Sequence, residues 1–167
     1  MSFADLSKTL SDIERKVSKC IKIISKGNDM NYKDAIKLGT KSNSIVSTIN
    51  KGIKDYGNYN PTDDEAKKLL GQMTTIVDLT ETQLNSMVAN QARFDSLKVG
   101  GLVKKNVIKT EAAGKELSHV MIAKTPASIK TEAETLEKRR EAAFNKATAA
   151  FAGATGGEDE QLGEDSD

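Results

Sequence analysis

The side chains that most often carry chemistry are scarce in this sequence. It has one cysteine, Cys20, and one histidine, His119. A thiolate–imidazole nucleophile is the arrangement they would permit. They stand far apart, and Cys20 falls on a run of apolar positions, where a buried thiol is a small inert hydrophobe. His119 lies beside an apolar stripe and reads as a surface or boundary residue. No Cys-X-X-Cys, His-Glu-X-X-His or EF-hand spacing occurs, so no metal is expected. No P-loop or Gly-X-Gly-X-X-Gly occurs either, and no cofactor is expected. Carboxylate pairs sit on faces that read as solvated, where no burial tunes them for acid–base work. The sequence does not read as an enzyme.

What does stand out is polar residues where an apolar side chain belongs. Ser42, Thr80, Gln91 and Thr110 each occupy a core-stripe position of a helical pattern. Two accounts are open. Serine and threonine can bond back to their own helix carbonyls, with Gln91 at a frayed end. Alternatively, some of them line an internal cavity, because buried polar groups need partners. Apolar walls with a few polar anchors are how small amphiphiles are held. The candidate ligand-binding set on that account is Ser42, Ile45, Ile49, Met73, Val77, Thr80, Leu84, Met87, Thr110, Leu117 and Met121. The methionines would adapt to an irregular ligand, or simply fill core gaps. Gly114 and Ala143 leave space.

Five helices must position these residues. The first, about residues 3–25, carries Phe3, Leu6, Leu10, Ile13, Val17, Cys20 and Ile24 at alternating steps of three and four. The second, about 31–56, is weakened by Gly39 and Gly52 unless another helix approaches closely there. The third opens at Thr62-Asp63-Asp64-Glu65, a capping box, and runs to about Arg93. A turn is expected over 94–101, around Gly100-Gly101. The fourth covers about 102–123 and stops before Thr125-Pro126. The fifth covers about 127–151. Short connections favour antiparallel packing of successive helices. The expected fold is all-α: an antiparallel up-and-down bundle of about five helices over residues 1–152.

Residues 153–167 hold six acidic side chains and no lysine or arginine, in a chain of net charge +1. They lack apolar residues to bury and are expected to form a disordered acidic tail. The remainder is mildly basic, without a basic block interleaved with aromatics, so no nucleic-acid partner is expected. No apolar run is long enough to span a bilayer, and no secretory leader is visible at the start. One cysteine excludes an intramolecular disulfide.

Across residues 35–151 the chain resembles the fungal hydrophobic surface-binding protein A family, also called the cell-wall galactomannoprotein or Mp1-type lipid-binding family. The resemblance lies in the order of Ile45-Val46-Ser47-Thr48-Ile49-Asn50-Lys51-Gly52-Ile53, Pro61-Thr62-Asp63-Asp64-Glu65-Ala66, Leu84-Asn85-Ser86-Met87 and Gln91-Ala92-Arg93-Phe94. Ala123-Lys124-Thr125-Pro126 and the Phe144 to Ala149-Ala150-Phe151 ending complete it. Cys20 and the acidic tail depart from the family pattern. The resemblance implies a secreted or cell-wall protein, with cytoplasmic residence the alternative. It implies non-catalytic binding of a long-chain fatty acid or other lipid between helices. The alternative is an interaction protein that adsorbs to hydrophobic surfaces, or docks a partner through a helix face, without an internal ligand.

Overall fold

The computed structural model describes residues 1–165; Ser166 and Asp167 lie outside the described residues. Among the described residues are six α-helices, two single 3-10 turns and no strand. The helices are α1 (Phe3–Ile24), α2 (Tyr32–Gly57), α3 (Asp63–Ala89), α4 (Gln91–Ser96), α5 (Gly100–Ala123) and α6 (Lys130–Ala150). The five long ones match the expected five.

Three of them start at reciprocal caps. Ser2 with Asp5, Asn31 with Asp34, and Thr62 with Glu65 each satisfy backbone donors that a helix start leaves free. The third helix ends sooner than expected. Asn90 donates its side-chain amide to the Ser86 carbonyl at 2.8 Å, and the chain reorients into α4. Arg93 then leaves the α3 line and donates Nε to the Met30 carbonyl at 2.7 Å, tying α4 to the α1–α2 connection.

Cross-helix contacts give the order around the bundle. α1 packs between α2 and α3, α5 beside α2, and α6 between α5 and α3. The five long helices therefore close a ring in the order α1, α2, α5, α6, α3. α1 and α2 pair antiparallel, Thr9 meeting Asp55 and Lys16 meeting Ser44. α5 and α6 also pair antiparallel, through Arg140 to Glu111 and Lys104 to the Ala152 carbonyl. The seams between these pairs are parallel. Ser42 faces Thr110 while Lys124 reaches the Tyr59 carbonyl, and Arg139 faces Asp78 while Gln91 reaches the Ala150 carbonyl. Direction alternates along the chain, yet ring order departs from chain order, because α3 returns to the free flank of α1.

Residues 153–165 differ from the expected disordered tail. They run without regular structure across α2 and α5, and the chain supplies reasons. The Gly156 carbonyl accepts the Leu102 amide at 2.9 Å, a cap for α5, whose own Val99 provides none. Leu162 packs on the core at Gly39, where a Cβ would strike it. Lys41 bonds Asp165 at 2.8 Å, Asn43 donates to the Leu162 carbonyl at 2.9 Å, and Ser47 bonds Glu164.

Candidate functional site

The middle of the ring is not filled. A cavity of ≈ 40 Å³ lies there, and every long helix contributes to its wall. α1 supplies Ile13 and Val17, and α2 supplies Ile45 and Ile49. α3 supplies Met73, Ile76, Val77, Thr80 and Gln83. α5 adds Thr110, Gly114 and Leu117, and α6 adds Arg140 and Phe144. The α1 and α2 side is wholly apolar. The polar groups gather on α3, α5 and α6.

Seven of the eleven nominated residues stand on this wall: Ile45, Ile49, Met73, Val77, Thr80, Thr110 and Leu117. Ser42 does not; it is half-buried in the α2–α5 seam, 3.4 Å from the Thr110 hydroxyl. Leu84, Met87 and Met121 are buried in the core but off the wall. Leu84 and Met87 lie past it toward the end of α3, and Met121 lies past it toward the end of α5. The stripe identifies an inward face, and says nothing of height along the bundle.

The polar stripe residues split between the two accounts. Thr110 bonds back to the Asn106 carbonyl at 2.8 Å, as a helical threonine can. Gln91 donates to the Ala150 carbonyl at 2.6 Å and serves the end of α6. Thr80 and Gln83 are half-buried on the wall. Neither side chain has a hydrogen-bond partner among the described residues.

Sequence reasoning missed the most polar wall residue, Arg140. The residue is buried, at 4% exposure. It donates Nε and Nη2 to Glu137 and Nη1 to Glu111, and sits 5.4 Å over the Phe144 ring. Burial alone would lower the Arg140 pKa; the bonds to Glu137 and Glu111 outweigh it and hold the pKa up. A signal was available. The α6 stripe runs Ile129, Ala133, Leu136, then Ala143 and Phe144, and its missing step falls on Arg140. That is the irregularity that singled out Thr80 and Thr110. Ile13, Val17, Ile76, Gln83, Gly114 and Phe144 were likewise outside the nominated set.

The two scarce residues are apart from this chemistry. Cys20 is buried on α1, and burial pushes its thiol up to about 12. His119 is largely exposed on α5, with Nε2 3.5 Å from Glu137. Among the described residues no cluster of His, Cys, Asp or Glu could hold a metal ion. No helix there is long and apolar enough to cross a membrane.

Solved structures share this fold. AfMp4p in complex with palmitic acid superposes with a TM-score of 0.84 at 19% identity, covering 90% of this chain and 99% of that one. Ligand binding domain 1 of Penicillium marneffei MP1, complexed with arachidonic acids, gives 0.80 at 21% identity over 90% and 99%. Domain 2 of the same protein, complexed with multiple arachidonic acids, gives 0.82 at 22% identity over 92% and 97%. No curated protein matches the chain by sequence. The family model for hydrophobic surface binding protein A matches residues 3–123, α1 through α5 in chain order, and the chain belongs to that family.

Proposed function

We propose that this protein binds a long-chain fatty acid or similar lipid, without catalysis, in the apolar centre of the five-helix ring. The observation that carries the reading is the central cavity, walled by all five long helices and apolar on the α1–α2 side. Structures of the same fold hold palmitic and arachidonic acids. Transfer of about fourteen methylenes out of water contributes a gross gain of ~11 kcal/mol, at ~0.8 kcal/mol each. Ordering the chain and desolvating the head group reduce it.

The cavity at ≈ 40 Å³ is far smaller than the roughly 300–1,000 Å³ of ordinary ligand clefts. Uptake therefore requires the helices to move apart. Met73 on the wall and the missing side chain at Gly114 ease that repacking. Ile45, Ile49, Val77, Leu117 and Phe144 would hold the hydrocarbon, with Thr80, Gln83 and Thr110 toward the head group.

Adsorption through an exposed apolar face has less support. Among the described residues the large exposed apolar side chains are Met1, Tyr32 and Ile108, at the chain start, the start of α2 and the outer side of α5. A secreted or cell-wall location belongs to the same proposal and rests on the family.

Solvent extraction of the purified protein, followed by mass spectrometry, tests the reading. Stoichiometric lipid that survives chromatography, or uptake of added palmitate to one equivalent or more, is the expected result. A clean extract with no uptake would overturn it.

A further inference from the structure

Resting on that reading, we infer that lipid reaches the cavity by parting α2 from α5, and that residues 156–165 form a releasable strap holding this seam shut. The other seams are tied by side chains of the helices themselves. Thr9 bonds Asp55 at 3.0 Å between α1 and α2, and Ser7 bonds Gln72 at 3.1 Å between α1 and α3. Arg139 bonds Asp78 at 2.7 Å between α3 and α6, and Arg140 bonds Glu111 between α5 and α6. Between α2 and α5 the one side-chain hydrogen bond among the described residues is Ser42 with Thr110, at a long 3.4 Å.

The strap supplies what this seam lacks. On α5, the Leu102 amide donates to the Gly156 carbonyl at 2.9 Å, and Lys105 donates to the Glu158 carbonyl at 3.3 Å. On α2, Tyr32 donates to Glu160 at 2.9 Å, Asn43 to the Leu162 carbonyl at 2.9 Å, and Lys41 to Asp165 at 2.8 Å. Leu162 fills the place of the side chain that Gly39 lacks, where Leu102 and Asn106 of α5 also approach. The strap has no regular secondary structure and several of its bonds are exposed, so it opens more readily than a packed helix. The seam also leads to the cavity. Ile45 and Ile49 of α2 and Thr110, Gly114 and Leu117 of α5 stand on the cavity wall. Along the same stretch the outer face carries an open groove of ≈ 740 Å³, lined by Val46, Asn50, Ala112, Ala113 and the strap's Leu162 and Glu164. That volume suits a lipid-sized ligand. Ala113 faces the groove and Gly114 the cavity, so the partition on α5 is thin.

Stopped-flow mixing of the full chain with cis-parinaric acid, a fatty acid that fluoresces in apolar surroundings, tests this. A gate that must open for entry and for exit changes both rates together and leaves their ratio alone. Leu162→Ser removes the apolar contact that seats the strap. It is expected to raise uptake and release about fivefold each, with affinity unchanged to within about twofold. Ser47→Cys with Glu164→Cys places two thiols where the native side chains touch. Oxidation of that pair is expected to slow both rates about tenfold, and reductant to restore them. Faster release alone in Leu162→Ser, with affinity falling to match, would mark Leu162 as a packing residue and overturn the inference. So would rates that oxidation of the pair leaves unchanged; lipid would then enter through another seam, and binding in the cavity would stand. No uptake of the probe by the unsubstituted chain, by Leu162→Ser or by the reduced pair would overturn both.

Discussion

Buried carboxylates bridge helices at the α1–α2 seam and at the α5–α6 seam, and the two clusters are built differently. At the α1–α2 seam, Asp55 accepts from Thr9 at 3.0 Å and from Lys51 at 2.7 Å. One anion meets one cation, and the Lys51 head is 59% exposed, free to reach water. At the α5–α6 seam, one buried cation meets two anions, and its partner Glu137 is also buried. The first cluster is balanced and lies away from the cavity. Of the second, Arg140 alone stands on the cavity wall. Charge balance at a seam is what packing alone favours.

The sharpest way to break this comparison is to remove the central cation. Arg140→Met leaves Glu137 buried without its partner and is expected to cost about 3–5 kcal/mol in urea unfolding. Adding Glu137→Gln should recover most of that loss. Asp55→Ala is expected to cost less, about 1–3 kcal/mol, because Thr9 loses an acceptor while Lys51 turns to solvent. An Asp55→Ala loss as large as that of Arg140→Met would erase the distinction.

A smaller effect separates two helical glycines. Gly71 on α3 has open space where a Cβ would stand, so Gly71→Ala should gain about 0.5–1 kcal/mol. At Gly101 a Cβ would lie 2.9 Å from the Gly156 nitrogen and would strike Glu158. Gly101→Ala should therefore show no such gain in thermal melts, although its helix propensity improves equally. A matching gain at both sites would mean that residues 153–165 do not hold their place on α5.

The smallest expected effect is electrostatic. The bond from Lys41 holds the Asp165 carboxyl below the ordinary carboxylate value. A group with a depressed folded pKa contributes stability above its unfolded pKa and loses it as pH falls through the folded value. The melting temperature should fall on acidification below about pH 4, and Asp165→Asn should flatten part of that slope. An unchanged slope in the variant would place the acid sensitivity in Asp5 and Glu65, which their caps lower, and in Asp34, which the bond from Lys26 and then its cap lower.

Much of the fold was legible because helices write themselves locally. The α1 stripe from Leu6 to Ile24 is buried at 0–3% exposure at Leu6, Leu10, Ile13, Val17, Cys20 and Ile24, and Thr62 caps as its box implied. Ring order was not legible, since no local pattern tells α3 to return beside α1. The wall was partly legible, because periodicity gives the inward face and not the level. Arg140 sits inside a charged run, Lys138-Arg139-Arg140-Glu141, a pattern that does not announce burial. The seat of residues 153–165 was not legible because it depends on what is absent. The segment's one large apolar residue, Leu162, finds a seat because Gly39 lacks a side chain. A glycine read as a weakness in α2 was a socket.

The buried thiol of Cys20 has a practical meaning. Only a thiolate attacks a maleimide or a disulfide reagent, and this side chain stays protonated and enclosed at neutral pH. Maleimide labelling of the folded protein is therefore expected to leave Cys20 unmodified. A cysteine introduced at Ser47 or Glu164 would be the exposed thiol in this chain. A fluorophore there would report in real time whether the carboxyl-terminal segment lifts when palmitate is added.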